Sequence, residues 1–206
     1  LMMDIGSTTT DLIPILDGKL AAQGKRDIER LARGELIYTG ALRTPVAAIV
    51  SQIPMRGVIC RISAEYFAIS ADVYLALGRL KPEDYTCATP DGREKTKEGA
   101  LRRLARVACE DSKHLTAGEL HALAAYIAEK QLQQITEGML HVLSRIENGL
   151  RLSVVSVGIG AFLGEACARR LTLTTCDPPA LTDRGSVTLS PCAAAAYLLG
   201  QTLSHG

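Results

Sequence analysis

Apolar and polar positions follow two regimes along the chain. Over roughly the first sixty residues the apolar runs are short and broken by turn formers; from about residue 70 they recur at helical spacing. Residues 1–5 and 12–16 read as two strands around a turn at residues 6–10. The stretch from Leu16 to Leu20 carries Asp17-Gly18, the strongest short hairpin signal, so the opening reads as a β-meander. Residues 27–36 suit a short helix or loop, and residues 40–45 a loop with Arg43 at its tip. Residues 46–50 are apolar, and residues 57–62 fit a strand. Residues 70–77 have helical spacing. Leu101, Leu104, Ala105 and Ala108 then mark one helical face, with Arg102, Arg103 and Arg106 expected to point elsewhere.

Thr116 and Glu119 have the spacing of a capping box. The pattern behind them runs through Leu120, Leu123, Ala124, Ile127, Ile135, Met139, Val142 and Ile146, with Gly138 as a point where it could bend. Residues 153–157 read as a strand, Gly158 and Gly160 as a turn, and residues 161–171 as a helix. Ser190 and Pro191 suit a helix start, followed by an alanine-rich stretch at residues 193–196 that implies close packing. Repeats, low-complexity segments and obvious linkers are absent from the sequence.

Composition narrows the function classes. The chain has 206 residues, 47% of them hydrophobic, which is enough for one large domain or two small ones. A net charge of +1 argues against a nucleic-acid or anionic-membrane binder, and 4% aromatics with no Trp leave little for base stacking. No apolar run reaches a membrane span, and no signal peptide is visible. Cys60, Cys87, Cys109, Cys167, Cys176 and Cys192 are scattered, without CxxC or zinc spacing, and are expected to be reduced, mostly buried thiols of a cytoplasmic protein. His114, His121, His141 and His205 are separated and are expected to be non-catalytic.

The candidate chemistry lies in two turns. Asp4 ends an apolar run, and Gly6, Ser7, Thr8, Thr9 and Thr10 come directly after it. Such a turn presents backbone N–H and hydroxyl donors, and glycine allows close approach, so it suits a phosphate. Asp4 is placed to hold a magnesium-bound water. A Ser/Thr-rich turn with no ligand fits the same spacing. Strand alternation lets only two or three of the hydroxyls converge. At Gly158, Gly160 and Ala161 a strand passes into a helix whose N-terminus suits a nucleotide phosphate; a purely structural turn would look alike.

Asp4-Ile5-Gly6-Ser7-Thr8-Thr9-Thr10-Asp11 resembles the second phosphate loop of the actin/sugar-kinase/Hsp70 superfamily, in the style of its hydantoinase/oxoprolinase branch. Val157 to Leu163 resembles that superfamily's adenosine loop. The blocks ERLARGELIYTGALRTPVAAIV, EYFAISADVYLALGRL, DGREKT and RRLARVACED resemble a narrower family, the methanofuran-biosynthesis enzymes of tetrahydromethanopterin-linked C1 metabolism.

The resemblance implies an α/β fold: a ribonuclease H-like domain of the actin/Hsp70 ATPase type over residues 1–206, with a mixed sheet and a mainly helical insertion at 63–150. It implies a magnesium-dependent alkyl transfer, in which the phenol oxygen of γ-glutamyltyramine displaces diphosphate from an (aminomethyl)furanmethanol diphosphate. ATP or another nucleotide is the alternative ligand, in an ATP-dependent hydrolase or kinase. A non-catalytic nucleotide-binding module is a third reading. Relatives carry a further first domain with its own phosphate loop; this chain shows one such loop, so about the first third is expected to be missing. Association with that segment, or a homo-oligomer, is expected.

Under this reading Asp4 and Asp11 are the metal carboxylates, Asp11 through the second coordination sphere, and Ser7, Thr8, Thr9 and Thr10 donate to diphosphate. Arg43 is a candidate clamp for a carboxylate or the diphosphate. Glu65 and Asp72, seven apart and on one face if helical throughout, are candidate bases for the phenol proton; a buried salt bridge to Arg61 or Arg79 is the alternative for them. Asp91 and Arg93 lie in a Pro-Asp-Gly turn that turn chemistry alone explains.

Overall fold

The computed structural model describes residues 1–177, so the Ser190–Pro191 helix start, the alanines at 193–196, Cys192 and His205 lie outside the described residues. The chain divides into two compact units. The first comprises Leu1–Gly6, Thr10–Ile37 and the chain from Thr136 on; the second comprises Ser7–Thr9 and Tyr38–Ile135.

The first unit is α/β with a mixed sheet. Strand β1 (Met2–Ile5) pairs antiparallel with β2 (Thr10–Ile13), placing Asp4 opposite Asp11. The expected strand over 12–16 is interrupted at Pro14, which has no N–H for a ladder. Beyond the proline the chain forms a separate hairpin of β3 (Ile15–Leu16) and β4 (Lys19–Leu20). Asp17 and Gly18 both have positive φ there, 51° and 73°, as a two-residue hairpin turn requires. Helix α1 (Asp27–Ala32) leads to β5 (Leu36–Ile37), which pairs with the outer side of β2.

Met3, Ile5, Thr10 and Leu12 are fully buried on one sheet face, each large aliphatic contributing about 1.5–3 kcal/mol. Met2, Asp4, Asp11 and Ile13 alternate onto the other face.

The second unit is mainly helical. After α2 (Val46–Ile49), strands β6 (Gln52–Met55) and β7 (Val58–Arg61) form a hairpin. Helix α3 (Ser70–Ala76) packs against α4 (Lys97–Val107). Thr96 caps α4 by accepting from the Gly99 N–H at 3.1 Å. Helix α5 (Ala117–Leu143) starts at the expected box, in which Thr116 N–H donates to Glu119 at 2.7 Å and Glu119 N–H to Thr116 at 3.2 Å. Its residues up to Ile135 belong to the second unit and the rest to the first.

Gly138 does not break α5. Within the first unit a Cβ there would collide with Ile37, so the glycine serves close packing rather than a bend.

Back in the first unit, β8 (Val155–Val157) pairs parallel with β1. Helix α6 (Ala161–Arg170) then returns the chain to a parallel bridge between Val154 and Thr175, a β-α-β crossover. Among the described residues, no helix is long and apolar enough to cross a membrane.

Three expectations are corrected. Arg103 does not point away from the buried face of α4: it is fully buried, because position 103 shares a face with Gly99, Ala100 and Val107. No disulfide joins the described cysteines, but they are not mostly buried. Cys167 is buried, Cys60 and Cys87 are half-buried, and Cys109 and Cys176 are exposed. Glu65 and Asp72 do not share a helix face, since Glu65 sits in an exposed bend five residues before α3 begins.

Candidate functional site

In the first unit the candidate site is the C-terminal end of β1. Asp4 is 9% exposed there, opposite Asp11 in register. Burial pushes its carboxyl above the ordinary carboxylate range, and the Asp11 charge pushes it further. Asp11 is held by α1, whose Arg30 donates to it at 2.5 Å. The second glycine turn lies at the same strand end. Gly160 N–H donates to Ile5 O at 2.8 Å. Gly158 has φ +84°, and a Cβ there would lie 2.5 Å from Ile5 O and 2.8 Å from the Asp4 carboxylate. Only glycine fits that position, on both conformation and space. Ala161 opens α6 behind this turn.

In the second unit, Ser7, Thr8 and Thr9 form a seated turn. Ser7 O accepts from Leu42 N–H at 3.0 Å and Arg43 N–H at 2.8 Å. Gly40 lies directly beneath: a Cβ there would meet Thr8 N at 2.6 Å. Ser7 and Thr8 hydroxyls are 3.3 Å apart. Thr39 and Gly40 are fixed in turn by Gln131 of α5, whose amide donates to Thr39 Oγ1 and to Gly40 O at 2.8 Å each. All three turn residues keep partial exposure. Thr10, in contrast, is fully buried on the Ile5 face of the sheet in the first unit.

The remaining candidates are placed as follows. Arg43 is exposed, with its charge acting on the half-buried Cys87, whose thiol is nevertheless pushed up by burial. Asp72 is fully buried, and its partner is Arg103 rather than Arg61 or Arg79. Arg103 Nε donates to Asp72 Oδ1 at 2.8 Å, Tyr85 O–H donates to the same oxygen at 3.0 Å, and Ile69 N–H donates to Oδ2 at 3.0 Å. Burial pushes the Asp72 carboxyl up against the pull of Arg103.

Asp72 therefore caps α3 and anchors a buried network, fully excluded from solvent. Arg30 and Gly40 carry no functional signal in the sequence, and Arg103 reads there as pointing away from the apolar face of its helix. Arg30 lies 19 residues from its partner and Arg103 lies 31 from Asp72, separations without a periodic signal.

Among the described residues, no three His, Cys, Asp or Glu side chains cluster as a metal cage. Asp4 and Asp11 are two carboxylates at facing register positions. A donor set of one or two carboxylates fits magnesium, which keeps several waters and takes further oxygens from substrate phosphate.

The fold and these turns define an α/β protein of the hydantoinase/oxoprolinase type. The hydantoinase/oxoprolinase family matches residues 1–199, and the chain belongs to it. Two curated relatives are more specific. The (4-{4-[2-(gamma-L-glutamylamino)ethyl]phenoxymethyl}furan-2-yl)methanamine synthase of Methanocaldococcus jannaschii is 42% identical over 160 residues, which are 78% of this chain and 47% of that protein. The Methanococcus vannielii protein of the same name is 39% identical over 160 residues, 78% of this chain and 70% of that protein. The chain thus spans about half the length of the first relative and somewhat more of the second.

Proposed function

We propose that this chain bears the diphosphate-handling part of a transferase that joins an (aminomethyl)furanmethanol diphosphate to the phenol oxygen of γ-glutamyltyramine, in methanofuran biosynthesis. The observation that carries the reading is Asp4: a nearly buried carboxylate at a strand end, beside a glycine turn, in a chain about 40% identical to two enzymes of that name. The ribonuclease H-like assignment of the fold belongs to the same proposal.

In the reaction, the furanmethyl C–O bond breaks with its electron pair leaving on diphosphate. A phenol oxygen forms the new C–O bond and gives up its proton to the departing diphosphate or to water. Asp4 and Asp11 would hold magnesium, which neutralises charge on a departing diphosphate. Ser7, Thr8 and Thr9, which come after Asp4 in sequence, would donate to its oxygens, the arrangement that favours charge developing in a transition state. Arg43 is the proposed clamp on a substrate carboxylate or on diphosphate.

The test is to incubate the gene product with both substrates, with and without magnesium, and to measure diphosphate and ADP. Diphosphate released in step with ether, and only with magnesium, is the expected result. ADP formed on ATP addition without diphosphate chemistry would replace the proposal with a hydrolase or kinase. Nucleotide binding without turnover of either kind would indicate a binding module.

A further inference from the structure

The second unit contains an open cleft of about 620 Å³ between the Asp91–Arg93 turn, the outer side of α4 and the segment from Cys109 to Ser112. Its volume lies within the range of small-molecule sites. Three arginines line it, Arg93, Arg102 and Arg106, together with the ring of Phe67.

The charges on its wall are unequally committed. Asp91 accepts from the buried Arg103 at 3.1 Å and from Arg93 N–H at 3.1 Å. Glu110 is bound by Asp111 N–H at 2.9 Å and by His114 at 2.8 Å, and Asp111 by Lys113. Arg102 pairs with Glu94. The guanidinium of Arg106 instead lies over the Phe67 ring, 4.8 Å from its centre, and among the described residues neither it nor that of Arg93 pairs with a carboxylate. The lining carboxylates are thus satisfied by neighbours, while two guanidiniums keep their forks open.

The Arg106 fork and the backbone that presents Arg93 are also held in place. Arg106 is stacked on an aromatic face, which fixes the plane of its fork. Arg93 has its backbone fixed on both sides: its N–H is bound by Asp91, and its carbonyl accepts from Thr89 at 2.8 Å. Behind the turn stands Arg103, fully buried, which reaches Asp91 and the Glu94 carbonyl as well as Asp72. A buried ion pair is a weak way to gain stability and a good way to fix geometry. Here the geometry fixed is that of the turn presenting Arg93.

We propose that this cleft is a binding site for a small oxyanion, a carboxylate or phosphate group carried by an organic ligand, held between Arg93 and Arg106. The site lies wholly within the second unit, and the inference does not draw on the phosphate-turn reading.

The test is calorimetric titration of the purified protein at low salt with inorganic phosphate and, separately, with glutarate. One-to-one saturable binding of at least one probe is expected, and the preferred probe identifies the anion. Arg93→Ala and Arg106→Ala should each weaken binding by about tenfold, the loss expected of one charge-assisted contact, and the double variant should abolish it. Arg106→Lys keeps the charge but not the fork, and should fall between Arg106→Ala and the unaltered protein. Lys97→Ala removes an exposed charge on α4 outside the cleft lining and should bind normally. Both arginines are exposed, so far-UV circular dichroism should report unaltered folding. The proposal fails if neither probe saturates, if the double variant binds like the unaltered protein, or if Lys97→Ala weakens binding equally.

Discussion

Replacing Arg103 with Met removes a buried charge while keeping most of the side-chain stem. In the second unit Arg103 and Asp72 are both fully buried. The substitution leaves Asp72 with Tyr85 O–H and Ile69 N–H but no cation. Removing one partner of a buried pair costs about 3–5 kcal/mol, because the other charge stays uncompensated. Replacing both partners with neutral groups is often close to neutral. Arg103→Met alone should therefore lower stability by about 3–5 kcal/mol at pH 7, and Asp72→Asn with Arg103→Met should recover most of it.

The pH dependence has its origin in the same geometry. Burial already pushes the Asp72 carboxyl up, and losing Arg103 removes the principal opposing influence. A carboxyl whose folded pKa exceeds its unfolded value, about 3.9, contributes stability below that value and loses it as pH rises through the folded pKa. The deficit of Arg103→Met should thus be smallest near pH 4 and grow toward neutrality. Urea denaturation followed by circular dichroism across pH 4–8 measures this. A loss under about 1 kcal/mol, or a double variant no better than the single, would refute the reasoning.

Asp4→Asn should raise the urea midpoint at pH 7 without magnesium, since burial and Asp11 raise the Asp4 pKa and the ionised form costs stability above it; an unchanged midpoint would contradict this. The gain should vanish below about pH 4, where Asp4 is protonated in both states. Gly40→Ala forces a Cβ to within 2.6 Å of Thr8 N, backbone that yields little, and should cost about 1–3 kcal/mol in the same assay. Thr8→Val should lower kcat by about 10²–10³ with little change in Tm, read by single-turnover kinetics of the gene product. Peptide mapping after brief thiol labelling should find Cys109 and Cys176 modified first and Cys167 only after unfolding.

Local signals carried much of the fold. The Asp17-Gly18 turn, the Thr116–Glu119 box and the glycine turn before α6 each depend on neighbours within a few residues, and each is where the sequence placed it. Pro14 was equally readable as a break, but the apolar residues flanking it masked its missing donor. What escaped was long-range pairing. Arg103 reads as a solvated position among basic neighbours until Asp72 is brought to it by the packing of α3 on α4. Arg30 becomes a partner of Asp11 only once α1 stands beside β2. The helix begins at Ser70, as the spacing over 70–77 predicts, and Asp72 ties the Ile69 N–H in its first turn, so the condition that would have put Glu65 on the same helix face is not met.

Asp4 and Asp72 show why burial by itself does not identify a functional carboxylate. Both are nearly or fully excluded from solvent, and burial raises both. Asp72 sits in its own unit with a donor on each oxygen: a guanidinium, a phenol and a backbone amide. Its charge is answered by the fold, and its role is to fix α3 against α4 and the turn beyond. Asp4, in the other unit, faces a second carboxylate, and among the described residues it accepts no hydrogen bond. Its nearest constraint is a glycine whose missing Cβ leaves the carboxylate room. Like charges stand at facing positions of adjacent strands, and among the described residues the fold supplies a cation to Asp11, through Arg30, and none to Asp4, which is why Asp4 is the carboxylate we propose for magnesium.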